Sequence, residues 1–171
     1  MSMENIAEEN KINGTMAEAR FKEWLEKHHI PYMYIQQDLD TFSSVFKEHP
    51  FGKRPDFMVL IPHFGLIFVD VKYKKLNKEY KTFTLDSDES KKYSRLQRKF
   101  NLQIWYVLSN EDYDYKTWFW IPVSKILEEG IQRHMSNKSK QDFFAVPPTE
   151  FVQISIDSSL DRLFSNLFEK K

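Results

Sequence analysis

The sequence predicts a single α/β domain, and three observations carry that reading. The order of elements through residue 109 is helix, three strands, helix, strand. The two central strands are apolar on both faces, as strands covered on each side must be. The chain has 171 residues, 41% of them hydrophobic and 16% aromatic, enough for one ordinary domain with a substantial core.

The first helix is expected from Thr15 to about His29, opened by the capping box Thr15-Met16-Ala17-Glu18 and burying Ala17, Phe21, Trp24 and Leu25. Residues 1–13 are read as a flexible head. Pro31 closes the helix, Tyr32 to Gln36 reads as a strand, and Asp38 to Arg54 as a polar connection facing substrate. Strands follow at Asp56 to Ile61 and Gly65 to about Leu76, joined as a hairpin through Pro62-His63-Phe64. A short strand at Thr82 to Leu85 precedes a helix from Asp86 to about Phe100, with acids in its first turn and Tyr93, Leu96 and Phe100 inward. Leu102 to Leu108 is a strand and Asn110 to Tyr115 a turn. Trp118 to Ile121 is then a strand, Val123 to Arg133 a helix, Phe151 to Ile156 a strand and Ser158 to Phe168 an amphipathic helix. Trp118, Phe119 and Trp120 belong to the core or to a subunit interface.

Composition bounds the function. The 25 basic and 25 acidic residues cancel, so electrostatic recognition must come from local clusters. The absence of cysteine excludes disulfides, thiolate zinc sites and a cysteine nucleophile. The N-terminus is polar and acidic, and the longest apolar region, Phe57 to Val69, is interrupted by Pro62, His63 and Gly65. These features lead to the expectation of a cytoplasmic protein with no membrane association.

The chemistry concentrates in Gly65-Leu66-Ile67-Phe68-Val69-Asp70-Val71-Lys72. Strand alternation puts Asp70 and Lys72 on one face with Leu66 and Phe68. If Ile61 pairs with Gly65 across the hairpin, Asp56 falls opposite Asp70 on that face. Two facing carboxylates in a partly desolvated cleft repel unless a cation sits between them, and hard oxygen ligands without histidine or thiolate favour Mg2+ or Mn2+. Glu18, flanking Phe21 and Leu25 at helical spacing, supplies a third acid. Two plainer readings stand beside this one: Asp70 and Lys72 as a strand-end ion pair, and Glu18 as the glutamate of its capping box.

Glu18, then Pro55-Asp56, then Asp70-Val71-Lys72 resembles the PD-(D/E)xK nuclease superfamily, which includes restriction endonucleases and Holliday-junction resolvases. The resemblance covers residues 14–109. It implies a restriction endonuclease-like αβββαβ core, a mixed central sheet flanked by helices, and Mg2+- or Mn2+-dependent hydrolysis of phosphodiester bonds in DNA, with duplex DNA as substrate. Residues 110–171 are a C-terminal elaboration of the same domain, 14–171, and a homodimer is compatible with them. Carried over, Asp56 and Asp70 match the metal-binding acids, Glu18 the first-helix glutamate and Lys72 the catalytic lysine. The carbonyl of Val71 completes the coordination, and Gln97 matches a polar position found in some members. The acid before the lysine is Asp, where Glu is more frequent. Lys74, Lys75, Lys92 and Arg95, in the densest basic tract, are the expected phosphate contacts together with Gln97. The alternatives are a catalytically inactive module of the same fold that binds nucleic acid or a partner, and a structural protein whose charges are ion pairs.

Overall fold

A computed structural model of the chain describes residues 3–36, 38, 40, 43–44, 53–62, 64–129, 131–134 and 142–165. Helix α1 (Met3–Lys27) leads into strands β1 (Tyr32–Tyr34), β2 (Phe57–Ile61), β3 (Gly65–Tyr73) and β4 (Phe83–Asp86). Helix α2 (Ser87–Phe100), β5 (Ile104–Ser109), β6 (Thr117–Pro122) and α3 (Val123–Glu129) follow. The chain continues through β7 (Ile131–His134), β8 (Asp142–Val146) and β9 (Val152–Ser155) to α4 (Arg162–Ser165).

The main sheet has six strands in the order β1-β2-β3-β5-β6-β9, parallel between β3 and β5 and antiparallel elsewhere, so it is mixed. A parallel pair needs a crossover, and α2 supplies it. Helix α1 covers one face, where Phe21 sits among Phe57, Trp118 and Trp120 with ring centroids 5.3, 5.1 and 5.5 Å away. The other face is covered by Tyr93 and Leu96 of α2, Val123 and Ile126 of α3, and a second sheet, β4-β8-β7, through Phe83, Leu85, Phe144 and Val146. Trp118, Phe119 and Trp120 are all core residues.

The hairpin has the expected register: Ile61 pairs with Gly65 and Phe57 with Val69. Gly65 leaves the turn at φ +120°, a backbone conformation that side chains disfavour and glycine adopts freely. His63, in that loop, lies outside the described residues, as does most of the Asp38 to Arg54 connection.

Several boundaries differ from expectation. Helix α1 begins at Met3, so Thr15 lies inside it and bonds the Lys11 carbonyl (3.0 Å) instead of capping. Gly14 and the neighbouring asparagines lower helix propensity without breaking the helix. Strand β3 ends at Tyr73, short of Leu76. Phe100, expected inside, is 51% exposed, because α2 ends there on Asn101 in the left-handed conformation (φ +51°). The helix expected to Arg133 stops at Glu129 and is followed by β7, which pairs with the unanticipated β8. Of the final helix, Arg162–Ser165 is described. No helix among the described residues is long and apolar enough to cross a membrane.

Candidate active site

The site forms where β3 outruns β2. The β2–β3 ladder ends at Phe57 and Val69, while β3 continues alongside β5, pairing Asp70 with Tyr106 and Lys72 with Leu108. The chain bends at Asp56, and that residue's carboxylate takes over where the ladder stops: Oδ2 accepts the Val71 N–H at 2.7 Å. A backbone donor on a buried strand must be satisfied, and Asp56 satisfies this one with a side chain. The two aspartates are therefore brought together as the register implied, with Asp56 anchored to the strand that carries Asp70.

Glu18 reaches the same cleft from α1, on the opposite face of the sheet. Its carboxylate accepts a hydrogen bond from the Tyr34 hydroxyl at 2.9 Å. It is thus not the glutamate of a capping box. One cleft is lined by Glu18, Lys53, Arg54, Asp56, Asp70, Val71, Lys72 and Lys74, with Asn10 and Gly14 at its α1 side.

Lys72 Nζ lies 2.6 Å from Asp70 Oδ2 and 2.7 Å from Glu89 Oε1. Glu89 stands in the first turn of α2 and also pairs with Lys53 through Oε2. The Tyr93 hydroxyl, one helical turn on, lies 2.6 Å from Asp70 Oδ1 and 3.0 Å from the Arg54 carbonyl oxygen, so one proton faces two acceptors. The Tyr106 ring, on β5 beside Asp70, has its centroid 5.9 Å from Lys72 Nζ. The strand-end ion pair of the plainer reading exists, but it is embedded in a larger array.

Electrostatics follow from burial and crowding. Asp56 is 8% exposed and Asp70 1%. Burial, then Asp70 and Glu18, push the Asp56 carboxyl up to about 8 against the opposing pull of Lys72 and the Val71 amide. Burial also raises Asp70, partly offset by Lys72, and raises Glu18. Burial alone would lower the Lys72 ammonium, but Asp70 and Glu89 carry it above its ordinary value. Burial would raise Glu89, yet Lys72 and Lys53 bring it down to about 2. Carboxylates that raise one another's pKa form a donor set whose repulsion a cation relieves. Among the described residues no three acidic or histidine side chains converge as a complete ligand group. Asp56 and Asp70 fit an ion that keeps most of its waters, as Mg2+ does.

The expected phosphate contacts divide. Lys74 lines the cleft, and burial followed by Lys72 lowers its pKa. Lys75 is paired with Glu111, Lys92 bonds Asp88 one turn away at 2.9 Å, and Arg95 is exposed on α2. Gln97 uses its side-chain oxygen within the fold, accepting the Ile104 N–H at 2.8 Å and fixing the start of β5.

Sequence reasoning missed Glu89, Lys53 and Tyr93 as site residues. Glu89 and Tyr93 are four residues apart on one helix face, which was a usable signal. Glu89 was explained as a first-turn acid, and nothing local marks Lys53.

No family model matches the chain, and no curated protein matches it. Among solved structures, the chain is similar to Hjc, a Holliday junction resolvase from the archaeal hyperthermophile Archaeoglobus fulgidus. The TM-score is 0.50 at 17% identity, covering 84% of this chain and 96% of that one. It is also similar to the bacterial homing endonuclease I-Ssp6803I (TM-score 0.43, 15% identity, 80% and 74% covered). A third is D212, a nuclease from a fusselovirus (TM-score 0.46, 10% identity, 99% and 98% covered). At such identities only the fold is carried over: α1, the three main-sheet strands β1 to β3, then α2 and β5 after the β4 of the second sheet, in a mixed sheet, give this chain the restriction endonuclease-like fold seen in the resolvase.

Proposed function

We propose that this chain is a divalent-metal-dependent nuclease that hydrolyses phosphodiester bonds in DNA, with duplex DNA as the substrate. The observation that carries the reading is the convergence of Glu18 from α1, Asp56 from the bend before β2, and Asp70 and Lys72 from β3 on one cleft of a fold shared with a resolvase.

Asp56 and Asp70 would hold Mg2+ or Mn2+, with the Val71 carbonyl as a further oxygen donor and Glu18 reaching the ion through a water. The bound ion would supply an activated water and a Lewis acid at the phosphoryl oxygen. Asp56, tied to the Val71 amide, keeps the two acids at fixed separation. Lys72, kept charged between Asp70 and Glu89, acts as a donor that orients the attacking water and stabilises charge on the phosphate, not as a base. Lys74 and the exposed Arg95 extend positive charge from the cleft along α2 for backbone phosphates.

The test compares the wild-type chain with Lys72→Met and Asp70→Asn on plasmid, single-stranded and four-way-branched DNA, with Mg2+, Mn2+ or EDTA. Metal-dependent cleavage lost in both folded variants supports the reading. DNA and Mn2+ binding without cleavage of any substrate would replace it with the catalytically silent module. Absence of Mn2+ binding would leave Asp70 and Lys72 as a structural ion pair.

A further inference from the structure

Glu89 is a largely buried carboxylate behind the cleft, in contact with Lys72, that the Glu18, Asp56, Asp70, Lys72 set does not use. Its side chain is 14% exposed. It stands on the first turn of α2, where its own N–H is capped by Asp86 Oδ1 at 2.7 Å, and Lys53 holds its second oxygen. Its position is therefore fixed independently of Asp70.

We propose that Glu89 is a positioning residue that keeps Lys72 in the cleft when a divalent cation takes Asp70, so that the lysine changes partner without changing place. The inference rests on the metal-dependent reading above. Three features of the geometry argue for it. Nζ is already within 2.7 Å of Glu89 Oε1 while still paired with Asp70, so exchange needs only a small rotation of the lysine's end. Asp70 Oδ2 and Glu89 Oε1 are both buried, and Lys72 Nζ, 2.6 and 2.7 Å away, is the cation they share. A cation at Asp70 and an ammonium 2.6 Å from the same oxygen repel, and a lysine with no second anion would be expelled from the cleft. Glu89 prevents that expulsion and leaves Lys72 beside the reacting phosphate.

The experiment is a double-mutant cycle on Mn2+ affinity, measured by calorimetry on the full chain as wild type, Glu89→Gln, Lys72→Met and the double variant. If Glu89 acts through Lys72, Glu89→Gln weakens Mn2+ binding about tenfold in the wild-type background and by less than about twofold in the Lys72→Met background. Equal losses in both backgrounds would mean that Glu89 contributes only through-space charge, and would overturn the proposal while leaving the metal site standing. No Mn2+ binding by the wild type would overturn the metal reading and this inference with it. Should Lys72→Met fail to fold, a crystal structure of the Mg2+-loaded wild type reads the exchange directly. Lys72 Nζ on Glu89 and withdrawn from Asp70 supports it; Lys72 still on Asp70, or Glu89 on the ion, overturns it.

Discussion

Tyr93 Oη lies 2.6 Å from Asp70 Oδ1, a buried hydroxyl on α2 clamping a buried carboxylate on β3. Tyr93→Phe removes the donor and keeps the ring, leaving the buried Asp70 Oδ1 short of a partner. The expected cost is about 1–3 kcal/mol of unfolding free energy. Urea denaturation checks it: the midpoint falls with an unchanged m-value, and an unmoved midpoint would show the bond to be energetically empty.

The metal-free protein is expected to lose stability as pH rises. Asp56 titrates near 8 in the folded chain, raised by burial and by Asp70 and Glu18 from an ordinary 3.8. The folded state therefore binds the proton more tightly, and the stability this contributes is complete below the unfolded pKa and lost as pH climbs through the folded one. Glu89 works in the other direction, but its depressed value confines its effect to the window below its ordinary 4.5. Between pH 5 and 8 melting temperature should fall, and Asp56→Asn, which keeps an acceptor for Val71, should flatten that slope and raise the midpoint at pH 8 by about 3–6 °C. A slope unchanged in Asp56→Asn would assign it elsewhere.

Phe21→Ala should be among the most damaging substitutions. The ring contacts Phe57, Trp118 and Trp120 at the centre of the α1 face, and Glu18 stands on the same helix. The expected loss is about 3–5 kcal/mol. Measured by chemical denaturation, a loss below about 1 kcal/mol would mean that the neighbouring rings refill the space.

Gln97 and Lys74 should separate stability from DNA binding. Gln97→Ala removes the acceptor for Ile104 N–H and should cost about 1–2 kcal/mol without changing affinity for DNA. Lys74→Ala should weaken DNA binding and lower its salt slope by about 1. Fluorescence anisotropy across a salt series measures both, and the reverse pattern would exchange their roles.

The parts of the molecule legible in the sequence are those set by local pattern. Alternation along β2 and β3 and the single turn between them were enough to bring Asp56 beside Asp70, since a one-residue slip would have turned every apolar side chain outward. Glu89 and Lys53 were not legible, because an acid at a helix start already has a local explanation and the lysine pairs with it across 36 residues of sequence. Strand β8 was missed for a related reason: it is a five-residue stretch, Asp142–Val146, whose identity as a strand depends on pairing with distant β4. The start of α1 was placed too late because Thr15-Met16-Ala17-Glu18 has the spacing of a capping box, yet Thr15 lies inside the helix and bonds the Lys11 carbonyl.

Asp86 is at once the last paired residue of β4, opposite Phe143, and the N-cap of α2. The small peripheral sheet thus sets the angular phase of the helix behind the cleft. Each residue of an α-helix turns by about 100°, so a one-residue slip of β4 against β8 would swing Glu89 off Lys72 and Tyr93 off Asp70 together. Aim at the charged cluster is governed from a strand pairing among apolar residues that line no part of the cleft. Substitutions in Phe143 or Phe144 would accordingly read out as errors of alignment in the cleft, with the acids and the lysine all still present.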